Sequence, residues 1–273
     1  MISSDLNIGF IGAGNMATAL IEGLLATSIN AAQLWAADTD HAKLATFEAK
    51  GINTTVGNPD IVRQCNIVVL AVKPQVMTIV LQSLQPALAD NKNCLLISIA
   101  AGISCATLQE WTSPQQAIVR CMPNTPALVR AGASGLYANA AVSAEQKLAA
   151  QSIMEAVGIA CWLDNEAQID AVTALSGSGP AYFFLLMEAM QAAALTLGLP
   201  ADVAKALCLQ TAFGAAKLAL HSDVEVGELR RRVTSPGGTT EAAIRQFESD
   251  DFQAMVERAL AKANARSQEL SRV

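Results

Sequence analysis

Near its start the chain runs Ile8-Gly9-Phe10-Ile11-Gly12-Ala13-Gly14-Asn15-Met16-Ala17, a short apolar run, a glycine-rich turn and the start of a helical pattern. Few features restrict a fold so strongly. The form is G-x-G-x-x-A. Gly12 permits a tight turn, Gly14 lets an anion approach the backbone, and Ala17 lets helix and strand pack closely, with the helix N-terminus facing the anion. In this setting the motif predicts a dinucleotide site. A glycine-rich turn that serves packing alone is the competing reading.

The segments that follow agree with that start. Strands are expected at Asn7–Ile11, Leu34–Asp38, Ile67–Val72, Leu95–Ile99 and Ile118–Cys121. Helices are expected at Met16–Ala26, Ala42–Lys50, Pro59–Gln64, Val76–Leu84 and Ala106–Trp111. The run Ile67–Val72 is apolar throughout, as a parallel strand covered on both faces should be. Alternation of this kind predicts an α/β fold with a doubly wound, Rossmann-type parallel sheet. Near Asp164 the pattern changes to helices only: Ala181–Gly198, Ala201–His221, Val226–Arg232 and Glu241–Ala265. Two domains are therefore expected, a dinucleotide-binding domain over 1–164 and an all-α domain over 165–273.

Composition narrows the function. Hydrophobic residues make up 52% of the 273 positions and charged residues 15%, which excludes a disordered chain. The net charge of −6, with no basic cluster beyond Arg230-Arg231-Arg232, argues against nucleic acid and anionic membranes as partners. The cysteines Cys65, Cys94, Cys105, Cys121, Cys161 and Cys208 are scattered and form no C-x-x-C pair, so buried reduced thiols are expected and a metal site is not. There is no basic, apolar leader pattern at the start, and a cytoplasmic protein is expected. The apolar stretch Ala181–Leu199 is broken by Glu188, Gln191 and Thr196, which argues against a membrane span. It still has almost no polar face. Such a helix is either an interface between two copies or the centre of a monomeric bundle.

Asp38 stands where a carboxylate can hold the adenosine 2′-hydroxyl, or it is a turn-forming residue within Asp38-Thr39-Asp40. Lys73, in Ala71-Val72-Lys73-Pro74, either touches the cofactor or is a solvated charge at the carboxyl edge of the sheet. Two prolines in Met122-Pro123-Asn124-Thr125-Pro126 predict an extended loop that presents Asn124 and Thr125 near the nicotinamide. Ser176-Gly177-Ser178-Gly179-Pro180-Ala181 reads as a ligand-facing helix start with Ser178 exposed to the ligand, or as a tight turn between domains. In Thr234-Ser235-Pro236-Gly237-Gly238-Thr239-Thr240-Glu241, glycines, hydroxyls and a following helix combine in a receptor for a carboxylate that needs no arginine. An N-cap alone would need one hydroxyl. His41 and His221 lie outside every motif, so a histidine acid or metal ligand is not expected, and neither a P-loop nor H-E-x-x-H nor G-x-S-x-G occurs. Reduction of an iminium carbon, which needs little acid assistance, suits such a site.

With these segments in order, the chain resembles the pyrroline-5-carboxylate reductase family from about Asn7 to beyond Arg266. The most specific elements are Leu175–Ala181 and Ser235–Thr240; Phe10–Met16, Ala71–Pro74 and Met122–Pro126 agree as well. The resemblance implies a Rossmann domain, a helical dimerisation domain, and reduction of 1-pyrroline-5-carboxylate to L-proline by NADPH or NADH. It implies that Ser235, Thr239 and Thr240, with Gly238, hold the substrate carboxylate, and that the Thr240 hydroxyl meets the ring nitrogen. Gly12, Gly14, Asn15 and Met16 would hold the cofactor. Asn58 would lie near the adenosine ribose, and Ala71 and Lys73 would line the cofactor. Assembly of dimers into a decamer is a further implication. Two rival classes share the N-terminal plan. A β-hydroxyacid dehydrogenase would need a lysine within Ala181–Leu199, where there is none. A redox sensor that binds the dinucleotide without turnover would leave Ser235–Thr240 unexplained.

Overall fold

A computed structural model describes residues 6–271. The chain forms two compact units: the described residues up to 178 together with those from 263 onward, and Gly179–Lys262.

The first unit is an eight-stranded sheet in the order β3-β2-β1-β4-β5-β6-β7-β8. The strands are β1 (Ile8–Ile11), β2 (Leu34–Ala37), β3 (Asn53–Thr55), β4 (Ile67–Leu70), β5 (Leu95–Ser98), β6 (Ile118–Met122), β7 (Gly132–Ala138) and β8 (Gly158–Trp162). All neighbours are parallel except β6 and β7. Helices α1 (Asn15–Leu25), α2 (His41–Glu48), α3 (Asn58–Gln64), α4 (Pro74–Asp90), α5 (Cys105–Glu110), α6 (Ala144–Glu155) and α7 (Gln168–Val172) complete it.

Strand periodicity divides the core in two. Ile8, Phe10, Ile67, Val69, Leu95 and Ile97 join Leu20, Ile21 and Leu24 of α1 on one face. Ile11, Val68, Leu70, Leu96 and Ile118 join Met77, Leu81, Leu84 and Leu88 of α4 on the other. Successive side chains point to opposite faces, so a strand covered on both sides is apolar at every position. Between β1 and β4 the strand order reverses, and the crevice beyond the carboxyl ends at such a point is where open α/β sheets bind ligands.

The second unit contains α8 (Gly179–Thr196), α9 (Ala201–Leu220), α10 (Val226–Arg232), α11 (Thr239–Ser249) and most of α12 (Phe252–Leu270). The single expected helix Glu241–Ala265 is two, separated at Asp251, whose φ of 56° ends the first. Only Gly179, Ala204 and Cys208 are buried within this unit, while Phe183, Phe184 and Leu185 are each more than 60% exposed. Among the described residues, Gln168–Thr196 and Ala201–Leu220 are long and apolar enough, by length and composition, to cross a bilayer. This departs from the reading of Ala181–Leu199, because α7 and α8 join through the turn Thr173–Gly177 into one longer helix. Five cysteines are buried as expected, but Cys161 is exposed.

Candidate active site

Gly12 has φ of 98°, a conformation that L side chains rarely adopt, and a Cβ there would meet the Ala71 carbonyl oxygen at 2.8 Å. Its N–H donates to the Ala37 carbonyl at 2.8 Å, and the Ala71 N–H donates to Ile11 at 2.8 Å, so the turn lies against the ends of β2 and β4. At Gly14, by contrast, a Cβ would meet nothing within 4 Å. Gly14 caps α1 without any side-chain hydrogen bond, leaving the first-turn N–H groups directed outward past Asn15, which is exposed. Ala17 is fully buried and Met16 packs partly on the core. Open space, uncapped donors and a helix dipole fit the pyrophosphate of a dinucleotide.

Asp38 closes the same turn. Its Oδ2 accepts the Ala13 N–H at 2.7 Å and its Oδ1 accepts the Asp40 N–H at 2.9 Å. Lys43 Nζ lies 3.6 Å from Oδ2. Burial is the largest single influence on this carboxyl and raises its pKa; the two N–H donors and the lysine charge together outweigh it, and the pKa falls below the ordinary value. Asp38 is thus held at the crevice rather than turned to solvent. The sequence gives no sign of the Ala13 link. Asn58 opens α3, half-buried, and its side chain has no hydrogen bond among the described residues. Lys73 caps α4 and is exposed, and α4 begins at Pro74, earlier than the periodicity predicts. A cavity of about 470 Å³ lies alongside, lined by Pro74, Gln75, Thr78, Gly102, Trp111 and Leu270 among others.

Two expectations change. Thr125–Val129 is a 3-10 helix rather than an extended loop, with Pro126 near its start, where a missing N–H costs nothing. Asn124 is 8% exposed, and its amide is engaged inside the fold: Nδ2 donates to the Ser176 carbonyl at 3.0 Å and Oδ1 accepts the Ala133 N–H at 2.9 Å. It braces this edge instead of offering a free amide. Ser178 does not sit at an open helix start either. Its N–H donates to the Thr173 carbonyl at 2.8 Å, closing a π-bulge inside a continuous helix. Such bulges concentrate at functional sites. A Cβ on Gly177 would meet Met122 Cε at 2.6 Å, so the bulge packs on the end of β6.

Sequence reasoning missed the Arg120–Glu166 pair. Both the Arg120 guanidinium, at 2.7 Å, and the Cys105 N–H, at 2.6 Å, reach Glu166 Oε1. The readable signal was an arginine within a buried strand, which demands a partner. Burial, with the Glu166 charge, pushes the Cys105 thiol up to about 12.

In the second unit the second glycine-rich motif forms a turn that leads into α11. Gly237 has φ of 73°, and the Gly238 N–H donates to the Ser235 carbonyl at 3.0 Å. Gly238 caps α11 without a side-chain bond. The hydroxyls of Ser235, Thr239 and Thr240 have no partner among the described residues, and all three residues are exposed. The Gly237 N–H donates to Glu241 Oε2 at 2.8 Å, and Arg245 pairs with the same carboxylate at 2.9 Å. The Gly237 bond and then Arg245 outweigh desolvation and hold that carboxyl below its usual range. Three hydroxyls without partners thus surround the uncapped start of α11, an arrangement whose N–H groups and dipole favour an anion.

Two family descriptions match this chain: "Pyrroline-5-carboxylate reductase dimerisation" over residues 166–270, and "NADP oxidoreductase coenzyme F420-dependent" over residues 7–102. The chain is 57% identical over 269 residues to the pyrroline-5-carboxylate reductase of Pseudomonas aeruginosa, covering 98% of each protein. The chain belongs to the pyrroline-5-carboxylate reductase family. Its fold is correspondingly similar to a solved pyrroline-5-carboxylate reductase of Coxiella burnetii, with a TM-score of 0.94, 45% identity and coverage of 97% and 98% of the two chains. A Plasmodium falciparum member solved with NADP bound superimposes with a TM-score of 0.86 at 31% identity, covering 99% and 100%. Family membership removes the β-hydroxyacid dehydrogenase alternative.

Proposed function

We propose that this chain reduces 1-pyrroline-5-carboxylate to L-proline, using NADPH or NADH, with the cofactor on the crevice of the Rossmann unit and the substrate on the Ser235–Thr240 loop. Full-length identity to curated reductases supports the reaction, and the loop with its three free hydroxyls is the observation that carries the substrate assignment. Gly12, Gly14, Asn15 and Met16 receive the pyrophosphate, Asp38 and Asn58 the adenosine end, and Ala71 and Lys73 line the crevice. Asn124 and Ser178 act through the brace and bulge that shape its far edge.

The bound cofactor supplies a hydride to the ring carbon of the C=N bond. Ser235, Gly238, Thr239 and the start of α11 hold the substrate carboxylate, and helix dipole and N–H groups neutralise its charge. Thr240 places its hydroxyl on the protonated ring nitrogen. The C=N electron pair then comes to rest on that nitrogen as an amine lone pair. No strong acid is needed, in keeping with the hydroxyl side chains of Ser235, Thr239 and Thr240.

The exposed faces of α8 and α9 support a homodimer formed by the 165–273 domain, with the 1–164 domain carrying the cofactor; a decamer is the larger form that the family resemblance implies. A second copy rather than a bilayer covers the two long apolar helices, as the name of the matching family domain supports. Six free cysteines support a reducing compartment, the cytoplasm. Mixing the protein with NADPH and 1-pyrroline-5-carboxylate should consume the reduced-nicotinamide absorbance and yield proline. No loss of absorbance with either cofactor would end this reading.

A further inference from the structure

Asp38 and Lys43 carry more than the closure of a turn. Lys43 lies in the first turn of α2, its Nζ 3.6 Å from Asp38 Oδ2 and 3.9 Å from Asp40 Oδ2. One cation therefore sits between two carboxylates, and the trio keeps a net negative charge. The Asp38 side chain is only 14% exposed, and each of its oxygens accepts a backbone N–H, from Ala13 and from Asp40. It cannot swing away from an approaching anion without breaking those bonds. Oδ1, which faces away from Lys43, nevertheless retains a second lone pair. Such a group accepts a hydrogen bond from a hydroxyl and repels a phosphate, which brings between one and two negative charges.

We propose that Asp38 makes this chain favour the dinucleotide without a 2′-phosphate, and that Lys43 is a phosphate-binding cation held neutralised by Asp38. The inference rests on the reading of the β1–α1 turn as the cofactor site. It separates two roles that share one side chain. The tie to Ala13 requires only an acceptor, whereas discrimination requires the charge. Asp38→Asn keeps an acceptor for the Ala13 N–H, gives up the bond from the exposed Asp40 N–H, removes the charge and releases Lys43. A substitution to a residue without that acceptor would loosen the turn as well and confuse the two.

Titration calorimetry of the full-length protein with NADH and NADPH tests this without recourse to turnover. The parent should bind NADH at least as tightly as NADPH. Asp38→Asn should move the affinity ratio toward NADPH by about tenfold or more at low salt, with the shift shrinking as salt screens the charges. Adding Lys43→Gln should remove most of that gain. Lys43→Gln alone, a half-exposed change that leaves the turn intact, should weaken NADPH by about threefold more than NADH. It keeps the test decisive if Asp38→Asn folds poorly by thermal melting. The proposal is overturned if the parent binds NADPH more tightly than NADH, if the ratio is unmoved in Asp38→Asn, or if the gain survives Lys43→Gln. Failure of the parent to bind either dinucleotide would overturn the cofactor site itself, and the pair with it.

Discussion

The Asn124 amide donates 3.0 Å to the carbonyl of Ser176, so the turn after β6 is tied to the π-bulge that leads into α8. Its other end takes the Ala133 N–H, at the start of β7. One buried side chain thereby joins three segments. Two motifs that read as separate ligand loops in the sequence are parts of one braced edge.

Asn124→Ala should lower stability by about 1–3 kcal/mol, the cost of leaving the half-buried Ala133 N–H and Ser176 carbonyl without their partner. Asn124→Asp keeps an acceptor for Ala133 but turns a buried carboxylate oxygen toward the Ser176 carbonyl, and at neutral pH should cost more than Asn124→Ala. Urea unfolding of the three proteins measures the order. Equal midpoints for Asn124→Ala and the parent would mean that water replaces the brace.

Thr240→Val preserves shape and deletes the hydroxyl. Catalytic efficiency should fall by about 10- to 1,000-fold, the range for losing one hydrogen-bond partner of the transition state, while the cofactor Kd stays unchanged. Steady-state rates with a parallel cofactor titration separate the two effects. An efficiency within about twofold of the parent would remove Thr240 from the mechanism.

Leu185 lies in the middle of α8 and is 66% exposed in the single protomer. A charge there is tolerated on a solvated face and costly in an interface core. Leu185→Asp should therefore shift the protein from dimer to monomer in sedimentation velocity and abolish activity. A variant that sediments like the parent would place this face outside the interface.

The five expected strands were legible as short apolar runs, interrupted only by Arg120 in β6 and Ser98 at the end of β5. β3 consists of Asn53, Thr54 and Thr55, and β7 opens with the small residues Gly132 to Gly135; neither carries an apolar period. Strand β8 alternates between half-buried and exposed residues at the sheet edge, so its pattern is weak. Helix α6 did carry a signal, the capping pair of Ser143 and Gln146, although its apolar stripe is thin. At the site, residue types and spacing identified the two glycine-rich turns. Whether a polar side chain turns inward or outward is decided by packing. That is why Asn124 read as a ligand contact and the Ala13–Asp38 link did not appear at all.

The last prediction concerns Asp38 and acid. Its folded pKa lies below the ordinary value, because the N–H bonds from Ala13 and Asp40 and the Lys43 charge outweigh burial, the largest single influence. The folded state thus binds this proton less readily than the unfolded chain does. By linkage, the stabilisation is fully present above about pH 4, the ordinary carboxyl range, and is lost as pH falls through the lowered folded value. Asp38→Asn cannot titrate at this position, and every other carboxyl is common to both proteins. The stability difference between parent and variant should therefore be flat from about pH 7 to pH 5 and change in favour of the variant below about pH 4. Urea midpoints for both proteins at steps across that interval measure it. A difference that stays constant down to about pH 3 would show that the carboxylate gains nothing from its three partners.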